Sequence, residues 1–167
     1  LTPESVRRVT GWPCTDSFPL GHLAWLRAHN PELLDAAAHV GMNTDWLLFQ
    51  LTGQWVMDHS TATTFHLQEQ AARRWHRPYL ERLGLRETQL PRLTASGVAA
   101  GALTPEAAAA TGLTTTTLGV TGAFDHPSAA RAVNITRPGQ LLLSCGTSWV
   151  GLLPWATLGI AGVDGWS

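Results

Sequence analysis

Apolar residues recur at helical spacing through most of the first two thirds of the chain. In "SFPLGHLAWLRAHNPELLDAAAHV", Leu20, Leu23, Trp25 and Leu26 fall on one face. Pro31 interrupts that run and suits the first turn of a following helix. "NTDWLLFQLTGQW" is the strongest helical stretch. Asn43 or Thr44 can cap it, Trp46, Leu47, Phe49 and Leu51 follow, and Gly53 ends it. "DHSTATTFHL" is polar and predicts a short helix or turn. "RRWHRPYLERLGL" is amphipathic and stops at Gly84. "ALTPEAAAATGL" predicts a complete helix, with Thr104 as cap, Pro105 at the first position, Glu106 in the first turn and Gly112 as stop.

The pattern then changes. Thr115–Gly122 is rich in β-branched residues and reads as a strand, and "HPSAARAVN" reads as a helix. Gly139–Cys145 predicts a buried strand and Ser148–Pro154 a second one. Gly146 and Thr147 then lie at a hairpin between them. The expected fold class is α/β: helix-rich over the first two thirds, then strand–helix–strand–strand, without the early strands such a sheet needs. No internal repeat is visible.

Composition narrows the function classes. The chain has 167 residues, 44% of them hydrophobic and 14% charged, which is enough to build a core. A net charge of −1 offers no footprint for nucleic acid or an anionic membrane. No apolar run approaches the roughly 18–20 residues that span a bilayer, and the start has no signal-peptide core. The expected compartment is therefore the cytoplasm. Leu1 in place of Met points to a cut N-terminus. All eleven basic residues are Arg, so this chain holds neither a P-loop lysine nor a Schiff-base lysine. Cys14 and Cys145 form no CxxC pair, and the histidines show no zinc-like spacing, so no metal site is expected.

Asp125 raises the sharpest question. It follows the predicted strand and opens the helix that contains Pro127. A carboxylate there can serve the helix terminus, or it can accept a proton from a hydroxyl nucleophile, and the two roles are compatible. Gly146-Thr147-Ser148 can be a plain hairpin turn, or backbone amides and a hydroxyl that hold phosphate without lysine. Cys145 with His126 would be a Cys–His pair only if the fold brought them together. The eight tryptophans could stack on sugar rings, but Trp25 and Trp46 sit where core residues are expected.

The order of motifs is more specific than any one of them. "TGWPCTDSFPLGHLAWL", "NTDWLLFQLTGQWVMDHSTAT", "LPRLTASGVAAGALTPEAAAATGL", "GVTGAFDHPSAARAV" and "PGQLLLSCGTSWV" follow one another from Thr10 to about Val150. Together they resemble the FGGY family of carbohydrate kinases. The resemblance implies a partial actin-like, ribonuclease-H-like fold. Residues 1–135 would be the later part of the N-terminal, sugar-binding domain. Residues 136–167 would be the first strands of the C-terminal, nucleotide-binding domain.

It further implies ATP-dependent phosphorylation of a sugar or polyol hydroxyl, with Mg2+ carried by ATP. By the same resemblance, Asp125 is the catalytic base and His126 a substrate contact. Gly146 and Thr147 face the phosphates. Ser17 stands where some members place a substrate-contacting aromatic. Three features depart from the family pattern: the opening Asp-x-Gly-Thr loop and the later glycine-rich nucleotide site are missing, and the usual Gly-Gly before the aspartate is Gly122-Ala123-Phe124. The expectation is a piece of a longer kinase, inactive alone, with uncovered sheet edges that favour a homo-oligomer. The alternative is a non-catalytic homologue that acts only in binding.

Overall fold

Proline at helix starts and left-handed residues at helix ends set most of the helix boundaries. The computed structural model describes residues 2–155. Helices α1 (Pro3–Thr10), α2 (Pro19–His29), α3 (Pro31–Ala36) and α7 (Pro105–Thr111) each begin on a proline, whose fixed φ and missing N–H suit the first turn. Thr104 caps α7 by accepting from the Ala107 amide at 3.1 Å. Helix α4 (Asn43–Thr52) ends at Gly53, which takes φ +70°. Neither Asn43 nor Thr44 is its N-cap. That position is Met42, whose N–H donates to Asp45 Oδ2 at 2.9 Å. The acid one turn in thus reaches back and does what a polar cap would have done.

The early strands that the sequence did not announce are present and short. β1 (Val56–Asp58) pairs in parallel with β4 (Arg92–Thr94), placing Asp58 opposite Thr94. β2 (Gln68–Glu69) and β3 (Arg74–Trp75) form a small antiparallel ribbon after helix α5 (His59–Phe65). β5 (Ala99–Ala102) and β6 (Leu118–Val120) form another. A Cβ on Gly119 would collide with the Thr52 methyl and press on Leu48, so β6 lies close against α4 only because that residue is glycine.

The chain divides after Ala123 into two compact units. The first contains the main core, where Val6, Leu23, Met57, Phe65, Trp75 and Leu80 are buried together. Phe65 meets Trp75 edge-on at 5.8 Å. Trp25 and Trp46, expected in the core, are 59% and 52% exposed. Trp25 instead stacks on His29 at 4.4 Å, one turn along its own helix.

The second unit holds α8 (Asp125–Ala132) and an antiparallel hairpin of β7 (Leu142–Cys145) and β8 (Trp149–Leu152). The hairpin is where the sequence predicts it, but β7 is not buried. Leu141 and Leu143 are 61% and 52% exposed, and Trp149 stands out on β8. Helix α8 packs on β8.

Gln89 is a polar tie inside the first unit. Its Nε2 donates to the Leu34 and Ala37 carbonyls at 2.9 and 2.8 Å, and its Oε1 accepts from the Arg86 amide at 2.8 Å. Its own carbonyl accepts from Val40 N–H and from Trp55 Nε1. Replacing Gln89 by alanine leaves two buried carbonyls and an amide unpaired. We expect a loss of about 3 kcal/mol or more, read from the urea midpoint at constant m. Gln140→Ala, whose amide partners Thr136 and Arg137 are exposed, is expected to change stability little because water replaces the side chain.

Candidate active site

The run from β6 to α8 carries the principal candidate residue, and its first part is held firmly. Thr121 is buried, and its hydroxyl lies 2.9 Å from the Ala95 carbonyl and 3.1 Å from that of Val98, while Val98 N–H donates to Thr121 Oγ1 at 3.0 Å. The Thr121 carbonyl accepts from Gly97 N–H. Thr121, Gly122 and Ala123 line a small cavity of about 60 Å³ with Asp45, Asp58 and Thr61.

Two carboxylates therefore share a buried polar pocket beside this loop. Asp58 ends β1 and caps α5: Oδ1 accepts from Thr61 N–H at 3.0 Å and Ser96 Oγ at 3.0 Å, and Oδ2 accepts from Thr61 Oγ1 at 2.6 Å. Burial pushes the Asp45 carboxyl up to about 6, partly opposed by the Met42 amide and reinforced by the Asp58 charge. Sequence reading missed both. Asp58 was visible only as the acid of the "LTGQWVMDHS" motif, and Asp45 as a first-turn residue of α4.

Asp125 occupies the first position of α8 and is exposed. It is not the cap, which is Phe124. Its Oδ1 instead accepts from the next amide, His126 N–H, at 2.7 Å. The helix terminus thus steadies the carboxylate while leaving it open to solvent. His126 is half-buried, with its ring edge-on to Phe124 at 5.6 Å.

Gly146 and Thr147 lie in a three-residue turn with Ser148, between Cys145 and its cross-strand partner Trp149. The Gly146 amide donates back to the Ser148 carbonyl at 3.3 Å, and all three residues are exposed. Cys145, also exposed, has its sulfur 4.0 Å from the Leu143 carbonyl.

Ser17 belongs to the first unit. It is exposed on the loop before α2, with its Oγ 2.7 Å from Thr15 Oγ1. The next residue, Phe18, anchors that loop by stacking on His66 at 4.3 Å, with Trp12 at 5.5 Å from Phe18. His66 is buried with Nε2 unpartnered, and burial pulls its pKa down to about 4. Among the described residues no group of three or more His, Cys, Asp or Glu could hold a metal ion. No helix among them is long and apolar enough to cross a membrane.

An exposed carboxylate at a strand-to-helix junction can orient a hydroxyl and take its proton. A glycine–hydroxyl turn can donate to phosphate oxygens. The comparisons with known proteins identify the family. Residues 1–131 match the N-terminal domain of the FGGY family of carbohydrate kinases, and the chain belongs to that family.

It is 31% identical over 146 residues to the autoinducer-2 kinase of Salmonella paratyphi B, covering 87% of this chain and 27% of that protein. It is 32% identical over 148 residues to the xylulose kinase of Escherichia coli K12, covering 89% of this chain and 30% of that one. The crystal structure of xylulose kinase from Rhodospirillum rubrum superposes with a TM-score of 0.78 at 31% identity, over 86% of this chain and 29% of its own. The actin-like, ribonuclease-H-like α/β fold is the fold of such structures, and this chain carries part of it. It spans about three-tenths of the length of the relatives it matches.

Asp45 and His66 make opposite contributions to stability with pH. Between about pH 4 and 6 the folded chain keeps the Asp45 proton that the unfolded chain releases, so this contribution falls as pH rises. Below 6.5 the unfolded chain protonates His66 while the folded chain resists until about 4, so that contribution falls as pH drops. The two nearly cancel. Asp45→Asn should unmask His66, with the melting temperature climbing from pH 4.5 to 6.5 by the equivalent of about 2 kcal/mol. His66→Phe should unmask Asp45 and give a slope of opposite sign. Parallel pH–melting curves for both variants and the parent would contradict the assignment.

Proposed function

We propose that this chain is part of a kinase that transfers the terminal phosphoryl group of ATP to a hydroxyl of a sugar or polyol. The observation that supports this most directly is the exposed Asp125 carboxylate at the first position of α8, within the match to the family. Asp125 accepts the proton of the attacking hydroxyl, and His126 helps to place the substrate. Gly146 and Thr147 donate to the phosphates from the β7–β8 turn. Ser17 contributes a small polar surface where a larger side chain would fill the sugar site. Phosphoryl transfer depends on positioning and charge stabilisation more than on covalent chemistry, so a base, oriented amides and a hydroxyl suffice as the protein's contribution. Magnesium carried by ATP would offset the charge of the phosphates.

Residues 1–135 close the sugar-binding domain in this reading, and the strands from residue 136 begin the nucleotide-binding domain. The protein acts in the cytoplasm, on a small-molecule substrate and not on nucleic acid or membrane. The relatives' names direct the substrate search to xylulose, other sugars and polyols, and autoinducer-2. A chain spanning three-tenths of its relatives is expected to turn over nothing alone. Exposed Leu143 and Trp149 give the hairpin an apolar surface suited to self-association or to the rest of the parent protein.

Coupled ADP release by the full-length parent across that panel is the test. At least one sugar or polyol should support turnover well above the ATPase background. Thr147→Val should raise the KM for ATP by roughly ten-fold while the sugar KM stays nearly unchanged. A panel without turnover would reject the kinase reading, and unchanged KM values in Thr147→Val would reduce the turn to a plain hairpin.

A further inference from the structure

The β2–β3 ribbon carries an arrangement that phosphoryl transfer does not use. Arg73 closes the turn between these strands with φ +50°, a left-handed conformation that glycine or asparagine adopts readily and arginine does not. Its amide donates to the Glu69 carbonyl at 2.8 Å, which fixes the turn. A strained conformation of this kind marks a position where the side chain has a use.

Arg73 lines an open cavity of about 510 Å³ together with Arg74 and Arg92. All three are exposed, whereas Trp75, Leu90 and Pro91, which line the same cavity, are buried and form its apolar floor. The Trp75 indole is held in place by its Nε1–H bond to the Pro91 carbonyl at 2.9 Å.

The charges are unbalanced. Arg74 is paired with Glu69 at 3.1 Å, but Arg73 and Arg92 make no ion pair among the described residues. The acid that lines this cavity is Glu87. Beside it, a cavity of about 580 Å³ shares Arg74, Trp75 and Glu87 and adds Arg77. Guanidinium forks match oxyanions in bidentate geometry, and Thr88 adds a hydroxyl at the same place. A small inorganic anion would satisfy the arginines but leave uncovered the half-buried Leu93 side chain and the aliphatic arginine stems, which give the cavity its accessible apolar surface.

We propose that this cavity binds a phosphate monoester with an apolar or flat organic portion, through residues that the proposed phosphoryl transfer does not use. The phosphate bridges Arg73 and Arg92, and the organic portion covers Leu93 and the arginine stems above the buried Trp75, Leu90 and Pro91. The inference stands whether or not Asp125 is the base, since it draws on no residue of that site.

The test titrates the full chain with phenyl phosphate and, separately, inorganic phosphate, followed by 1H–15N NMR. The Trp75 indole, Arg73 and Thr88 signals should shift with both ligands, and phenyl phosphate should bind more tightly. Arg73→Gln and Arg92→Gln should each weaken phenyl phosphate roughly ten-fold or more. Both positions are exposed, so the variants should fold.

Arg73→Gly separates conformation from recognition. It relieves the left-handed strain and should melt at a higher temperature, while binding weakens as in Arg73→Gln. AMP, added as a further arm, distinguishes a nucleotide from a smaller aromatic ester as the natural occupant. Absence of shifts at these signals, equal affinity for both phosphates, or a Gly variant that melts higher yet binds as the parent does would each overturn the proposal.

Discussion

The first unit depends on one buried carboxylate. Asp58 ends β1, starts α5 and, through Ser96, holds the segment that follows β4. A buried carboxylate is costly unless its lone pairs are filled, and here the Thr61 amide, the Thr61 hydroxyl and the Ser96 hydroxyl fill them. The β1–β4 register makes this possible, because Asp58 opposite Thr94 brings Ser96 within reach. The same segment then receives Thr121, whose hydroxyl and backbone are bound to residues 95–98. A strand end, a helix start and the run toward the proposed base are thus joined through a few polar atoms. Asp45 lines the same cavity and keeps its proton more readily, chiefly because it is buried and to a lesser degree because of the Asp58 charge.

How far this was legible in the sequence depended on the physical range of each signal. Local signals were read correctly. The Thr104–Pro105–Glu106 start of α7, the Gly53 stop of α4 and the Pro31 restart after α2 are chemistry within one turn of the chain. The strands β1 to β5 were missed because runs of two to four residues carry no period. "VMD" is also buried throughout and so shows no alternation. Tertiary context decided the tryptophans. Trp75 is buried because the Pro91 carbonyl accepts its N–H, while Trp25 at a similar-looking helical position is not. Gln89 and Asp58 look like ordinary surface residues in the sequence, since Leu34, Ala37 and Ser96, which complete their bonding, lie tens of residues away.

The candidate site was legible differently. Asp125 alone could not be told from a helix-start acid; the order of five motifs suggested the base, while the match to the N-terminal domain model shows the family. Its surroundings were not legible. The structure shows a carboxylate bound through Oδ1 to the His126 amide and otherwise exposed, with Phe124 in the cap position. A structural cap would place the carboxylate before the helix and bury its oxygens in amides. Here the acid is held by one amide and presented to solvent, as a base that must meet a substrate requires.

The central claim is that Asp125 accepts the proton of the attacking hydroxyl. Asn at this position keeps the size and can still accept from the His126 amide, but it cannot take a proton. Turnover of full-length Asp125→Asn on the best substrate, measured beside its thermal melt, is therefore the most direct measurement. If Asp125 is the base, turnover falls roughly 10²–10⁴-fold with an unchanged melt. Wild-type turnover in the Asn enzyme would contradict it.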